Sequence, residues 1–574
     1  MTAVQTWRTV RHLRPGQIWA RAWRKLRHLC TDFDGFSRQQ APPGPNPAAP
    51  YRRELPDAAP EGNSMQQIQG GRFCFLNQTR HVGFPPDWSA AGADRLWSYN
   101  LHYFETLWLL DYASCRRLVL DWIVNHRLSD SAVGWEPYPT SLRLVNWLGV
   151  LLGRFRNVTL ADAEFIQPLW QSLFIQGQWL SRQVETHLRG NHLFENAAAL
   201  SLLGRSFTGH AAAEWWKQGS SLLQSQISEQ ILTDGVHFER SPMYQSRILW
   251  VLLALSAAGC GSLDSRIHAA AVSLAGGLAR MCHPDGQIAL LNDAAMGVYP
   301  APSALLAEAG RLGLGDLPEC RTGPFALPQA GYYGWRNDRG DYLICDAGPI
   351  GPDYMPGHAH GDIFSFELSL AGHRVIVDSG VHDYQVGPMR DYCRSTAAHN
   401  TVEIDRADQC EFWQAFRVAR RGRPRKVRYG PQGDGFALAG WHDGYRRLPG
   451  RPVHERSLQF QDQGVLLVRD RVRSASPVAW VSRLHLHPDC RVISTSRRTV
   501  RLATPAGTCC LQFEGPGELR VKASKYCPRF GQVLENRTIE FRTAGTDTET
   551  AFCLTTSRQR QVSAGETNLN QKAA

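Results

Sequence analysis

The sequence predicts a multidomain α+β chain, helical through its first half and completed by an antiparallel β-sandwich. Three observations lead there. The chain has 574 residues, more than one ordinary hydrophobic core holds, so it divides into domains. From about residue 96 to residue 312 apolar side chains recur at three- and four-residue spacing, the period of helices with one buried face. Near Gln329 the spacing changes to alternation, the period of strands whose two faces differ in polarity. The expected division is a basic N-terminal segment with a Pro-rich linker at 1–60, a helical domain at 61–325 and a β-sandwich domain at 326–574.

The elements follow in order. The opening thirty residues, MTAVQTWRTVRHLRPGQIWARAWRKLRHLC, are basic throughout and lack the apolar centre of a secretory signal. With fourteen scattered cysteines and no C-x-x-C pair, the chain reads as cytoplasmic with free thiols. The same opening segment has the make-up of a basic amphipathic helix, which either lies on a membrane surface or packs on its own protein. Residues 39–60 are rich in Pro and Ala and cannot continue a regular helix. Next come ETLWLLDYASCRRLVLDWIVNHRL, SLRLVNWLGVLLGRF, AEFIQPLWQSLFIQGQWLSRQVETHL and AAEWWKQGSSLLQSQISEQIL, helices with brief breaks that imply antiparallel hairpins. In the last part, DYLICDAG, FSFELSLAGHRVIVDSG, HNTVEID, SLQFQDQGVLLVRDRV, WVSRLHLHP and TIEFRTAG read as strands. One hairpin is expected to turn at Ala371-Gly372, with Asp378 where its second strand ends.

Composition removes several functional classes. With 43% hydrophobic and 20% charged residues the chain is not a disordered polyelectrolyte. No apolar run reaches the roughly 18 residues that cross a bilayer, so no transmembrane segment is expected. The formal charge of +11 raises the local concentration of a polyanion, and the 18 Trp and 16 Tyr suit flat sugar faces. A basic run over 417–428 has neither interleaved aromatics nor an accompanying helix-turn-helix. It reads as a solvated loop or edge strand, and no nucleic-acid partner is expected.

Four stretches interrupt the periodic pattern with chemistry. Asn191 and His192 stand side by side at a helix start, where main-chain amides favour an anion. Tyr244 follows the polar loop DGVHFERSPM, and a phenol exchanges protons if nearby positive charge lowers its pKa. His358 and His360 are two residues apart, which in an extended strand points both imidazoles the same way. His399 enters a further strand, and His360, Asp378 and His399 form a two-imidazole, one-carboxylate set suited to a metal.

The motifs GNHLFENAAAL, DGVHFERSPMYQ, DGQIALLNDAA, GHAHGDIFSFEL and RSTAAHNTVEID, in that order, resemble the signatures of the heparinase II/III family of polysaccharide lyases. The resemblance implies an incomplete (α/α) toroid joined to the β-sandwich, with the active site in the groove between them. It implies an acidic oligo- or polysaccharide substrate cleaved by β-elimination, with Asn191 and His192 neutralising the uronate carboxylate. Tyr244 and His358 would be the acid and base, in either order, or Tyr244 both. Glu239, Arg240, Tyr384 and Arg394 would contact substrate. His360, Asp378 and His399 would hold one divalent metal, zinc, in a mainly structural role. Two other readings compete: a glycoside hydrolase, for which Glu195, Glu239 and Asp293 are the candidate carboxylates, and an accessory protein that binds a glycan without turnover.

Overall fold

The computed structural model describes residues 3–29, 33–39, 54–129, 132–315 and 321–556. Helices dominate up to Arg311 and strands from Gly323 onward, giving an incomplete (α/α) toroid followed by an antiparallel β-sandwich. Local sequence starts the helices. Asp94, Asp111 and Asp162 each accept a hydrogen bond from a first-turn amide, and Pro137, Pro242 and Pro302 open their helices, where a missing N–H costs nothing. Helices Gly190–Ser206 and His210–Gln230 lie close together. At Gly219 a Cβ would come within 2.6 Å of the Ser201 amide nitrogen, so a larger residue would push the pair apart. Helix Pro242–Ala258 is buried along its whole length, which explains its nearly unbroken apolar run. Its one buried cation, Arg247, is neutralised by Glu195 and Glu105.

The sandwich pairs a five-stranded meander, from Gly323–Leu327 to His373–Ile376, with a ten-stranded sheet. The two longest strands of the larger sheet, Val465–His485 and Leu534–Thr556, pair at its centre. Leu343, Phe366 and Leu368 of the meander share one core with Phe460, Leu466 and Phe552 of the larger sheet. The hairpin between Phe366–Leu370 and His373–Ile376 turns at Ala371-Gly372 as the sequence predicts, with Asp378 just beyond. His358 and His360 depart from expectation. They occupy the irregular segment between Tyr342–Asp346 and Phe366–Leu370 rather than a strand.

The basic run forms Arg417–Val418 and the edge strand Pro424–Gln432. Arg421 and Arg423 pair with Asp353, and Arg425 with Asp443. Residues 40–53 of the expected linker lie outside the described residues, whereas Leu55 and Ala58 are buried in the helical core. The buried Cys115, Cys345, Cys393 and Cys410 are free thiols. No described helix is long and apolar enough to cross a membrane.

Candidate active site

The helical half supplies one wall. Arg189 and Gly190 both take positive φ, 67° and 60°, and a Cβ on Gly190 would lie 2.4 Å from Glu239 Oε1. Only glycine permits that approach, which sets Asn191 in the first turn of helix Gly190–Ser206, directly against Glu239. Glu239 Oε1 accepts from the Asn191 amide at 2.8 Å, and both its oxygens accept from Asn191 Nδ2 at 3.0 and 3.1 Å. The neighbouring His192 donates from Nδ1 to Glu185 Oε1 at 3.1 Å and stacks on Tyr138, ring centres 4.2 Å apart. Burial pulls the His192 pKa down, but the Glu185 carboxylate outweighs it, and the net shift is upward. The imidazole therefore favours the cation, with its side chain 32% exposed.

Tyr244 stands in the first turn of helix Pro242–Ala258, whose N-cap Ser241 accepts from the Tyr244 amide and donates to the Asp293 carbonyl. Its ring lies 4.3 Å from that of His358, and its hydroxyl is 3.3 Å from the Tyr384 hydroxyl. The largest influences on its pKa all raise it. Burial, reinforced by Tyr384, Tyr299 and Tyr138, raises it well above the usual phenol value, so the resting side chain is a proton donor.

The loops of the sandwich supply the facing wall. His358 Nδ1 donates to Asp293 Oδ2 at 2.8 Å, and its Nε2 lies 3.4 Å from Glu239 Oε2. Asp293 is completely buried. Arg390 grips both its oxygens, and His360 Nε2 donates to Oδ1 at 2.8 Å. Burial alone would raise the Asp293 pKa, yet the Arg390 guanidinium and the two imidazoles hold it well below the carboxylate range. Phe416, 42% exposed, packs against both His358 and Tyr384 and offers an apolar ring beside the imidazole.

Asn191, Glu239, His358, Tyr244 and Tyr384 thus form one contiguous group at the seam of the two domains, with His192 beside it. Arg240 and Arg394 do not join it. Arg240 is buried and donates to the carbonyls of Ala330, Phe238 and Gln329. Arg394 is buried and donates to those of Ala359, Gln414 and Arg417. A guanidinium has five donors in a fixed fork, and here both bind irregular main chain together. Glu239 likewise serves as a clamp on Asn191. The hydrolase carboxylates are equally committed: Glu195 to Arg247, Glu239 to Asn191, and Asp293 to Arg390 and two histidines. Asp293 entered the sequence reading inside the motif DGQIALLNDAA and as a hydrolase candidate, with no role beside His358. Its link to Arg390 spans 97 residues, a pairing that no local pattern carries. Glu185 and Tyr138 sit within ordinary helical text and give no signal.

Behind this wall His360, Asp378 and His399 bring one ligand atom each to within 4.8 Å of one another. All three are buried, and His360 Nδ1 and His399 Nε2 have no hydrogen-bond partner. Burial lowers the His360 pKa to about 3, keeping it in the neutral form that ligates metals. Its other nitrogen is oriented by Asp293, the outer support usual for metal-binding histidines, and His399 Nδ1 pairs with Asp378 at 2.7 Å. The residues fit a metal ion.

The chain is similar to known proteins in sequence and in fold. Residues 109–294 match the family model described as heparinase II/III N-terminus, and residues 320–564 the one described as heparinase II/III-like, C-terminal. A heparin-sulfate lyase of Pedobacter heparinus is 26% identical over 366 residues, covering 59% of this chain and 52% of that protein. One from Bacteroides stercoris is 24% identical over 319 residues, covering 50% and 44%. The chain therefore spans about half the length of these relatives. The crystal structure of a heparinase III superposes with a TM-score of 0.66 at 17% identity, covering 82% of this chain and 79% of that one.

Proposed function

The chain belongs to the heparinase II/III-like family, and from that premise we propose that it is a polysaccharide lyase, cleaving a uronate-containing acidic glycan by β-elimination. The observation that supports this most directly is the contact of Tyr244 with His358, 4.3 Å between rings, beside the Asn191 amide and the His192 imidazole. Ionised uronate resists loss of its C5 proton, because the carboxylate already carries negative charge. Asn191 and His192 receive that carboxylate and stabilise the enolate-like charge that develops on it. His358 Nε2, its Nδ1 proton held by Asp293, takes the C5 proton. The C–H electron pair becomes the C4–C5 double bond, the C4–O4 bond breaks, and the Tyr244 phenol protonates the departing O4. Tyr384, hydrogen-bonded to that phenol, is the remaining substrate contact of this reading.

Screening uronate glycans for the short-wavelength ultraviolet absorbance of a 4,5-unsaturated uronyl end tests the proposal. Growth of that signal supports it. New reducing ends without the signal replace it with hydrolysis, and binding without either product replaces it with an accessory role.

The raised His192 pKa gives a pH expectation. A group held above its ordinary value keeps its charge below that value and loses it as pH rises through the shifted one. The fall of kcat/KM on the alkaline side is therefore expected to begin above the ordinary imidazole range, near pH 6.5. His192→Gln is expected to lower kcat/KM and remove that limb, and an unchanged profile contradicts the role.

We assign the His360, Asp378 and His399 set to zinc, which when bound ties the loop carrying His358 to the strand ends behind it. The purified chain is expected to carry about one transition metal, as structural sites of this ligand type do. His360→Ala is expected to lose that metal and lower the melting temperature together. Metal at background level in the wild type contradicts the assignment.

A further inference from the structure

Helices Ala3–Val10 and Pro15–Leu29 are turned inside out. A surface helix ordinarily buries its apolar stripe and leaves its polar face in water. Here the polar face grips the protein. Trp413 Nε1 donates to Thr9 Oγ1 at 3.0 Å, and Arg8 pairs with Glu411 on the sandwich side. Arg14 pairs with Glu229 at 2.6 Å and lies over the Tyr354 ring. Arg24 reaches His187, and Gln17 the carbonyls of His187 and Tyr354. The opposite face is apolar and exposed: Trp7 62%, Trp19 68%, Ile18 48%, Leu26 52% and Trp23 45%. Trp19 and Trp23 stack on each other. Half of all exposed large apolar side chains among the described residues lie between Val4 and Leu26. Contacts to both domains fix the orientation, so the tryptophans cannot turn inward without breaking ion pairs.

We propose that this face docks on an anionic phospholipid surface. The first 29 residues contain no Asp or Glu, and Lys25 and Arg11, whose guanidinium lies over the Trp7 ring, are exposed, so the face complements negative lipid headgroups. Indole rings on short helices lying flat suit the bilayer interface, where one side is apolar and the other wet. Charge argues against a second copy as the occupant, because two such faces would set like charges together. The anchoring contacts to His187 and Tyr354 lie four residues from Asn191 and His358, so docking would hold the catalytic seam close to the membrane.

Flotation of the full chain with vesicles tests this independently of any lyase activity. The chain is expected to float with vesicles of equal phosphatidylglycerol and phosphatidylcholine, less so in high salt, and not with phosphatidylcholine alone. The double variant Trp7→Ala/Trp19→Ala is expected to lower the bound fraction at least about tenfold with an unchanged melting temperature. Arg11→Glu/Lys25→Glu, which leaves the tryptophans in place, is expected to weaken anionic-vesicle binding similarly. No flotation, flotation indifferent to both variants, or a vesicle-free dimer abolished by Trp7→Ala/Trp19→Ala overturns the proposal.

Discussion

Tyr244→Phe is expected to lower kcat by about 10²–10⁴-fold, the usual contribution of a positioned proton donor, while the fold survives. The phenol ring is 7% exposed and packed beside His358, and Phe keeps that packing. Its hydroxyl has one long partner, Tyr384 at 3.3 Å, so removing it costs little stability, roughly 1 kcal/mol or less. The raised pKa keeps the phenol protonated at neutral pH, and protonation of O4 is the step that Phe cannot perform. KM should change little, because the hydroxyl acts on the leaving oxygen rather than on the bound carboxylate. Steady-state kinetics beside a melting curve decides the matter. Unchanged kcat with an unchanged melting temperature removes Tyr244 from the reaction.

Asp293→Asn is expected to damage turnover and stability together. The carboxylate accepts from His358 Nδ1, His360 Nε2 and both ends of the Arg390 guanidinium. An amide of the same shape has one accepting atom and presents an N–H₂ to a neighbour that is itself a donor. Arg390, fully buried, then loses its counter-charge, and breaking a buried pair on one side costs about 3–5 kcal/mol. His358 loses the acceptor that holds its proton on Nδ1, so Nε2 is no longer reliably the free base. The drop in kcat is expected to be about 10²–10⁴-fold, as when a histidine is left in the wrong tautomer. Arg390→Met separates the two effects, since it removes the cation yet leaves the Asp293–His358 bond. It should destabilise the chain with a smaller loss of kcat, and equal catalytic losses from both variants contradict the orienting role of Asp293.

Much of this was legible in the sequence because the signals are local. Helical and strand periods follow from which side chains must leave water, and the Ala371-Gly372 turn from backbone freedom at two residues. The triad His360, Asp378 and His399 was visible because metal-binding side chains are chemically distinctive and stand close together in the chain. The main-chain contacts of Arg240 and Arg394 were not legible in the same way. The family resemblance implied contact with substrate, and an arginine beside a motif is equally able to donate to main-chain carbonyls, as both do. The opening helices were recognised as basic and amphipathic, yet not which face would hold the protein.

The sequence by itself determined the order of helical and strand domains, the residue types that gather at the seam and the net positive charge. Each depends on composition or on spacing within a few residues. Only the tertiary structure decided that Asp293 aligns His358 and closes on Arg390, that Glu239 and Glu185 set Asn191 and His192, and that the N-terminal tryptophans face outward. Those outcomes depend on which buried charge finds a partner from another element, and the partners of Asn191, His358 and Arg390 lie 48, 65 and 97 residues away.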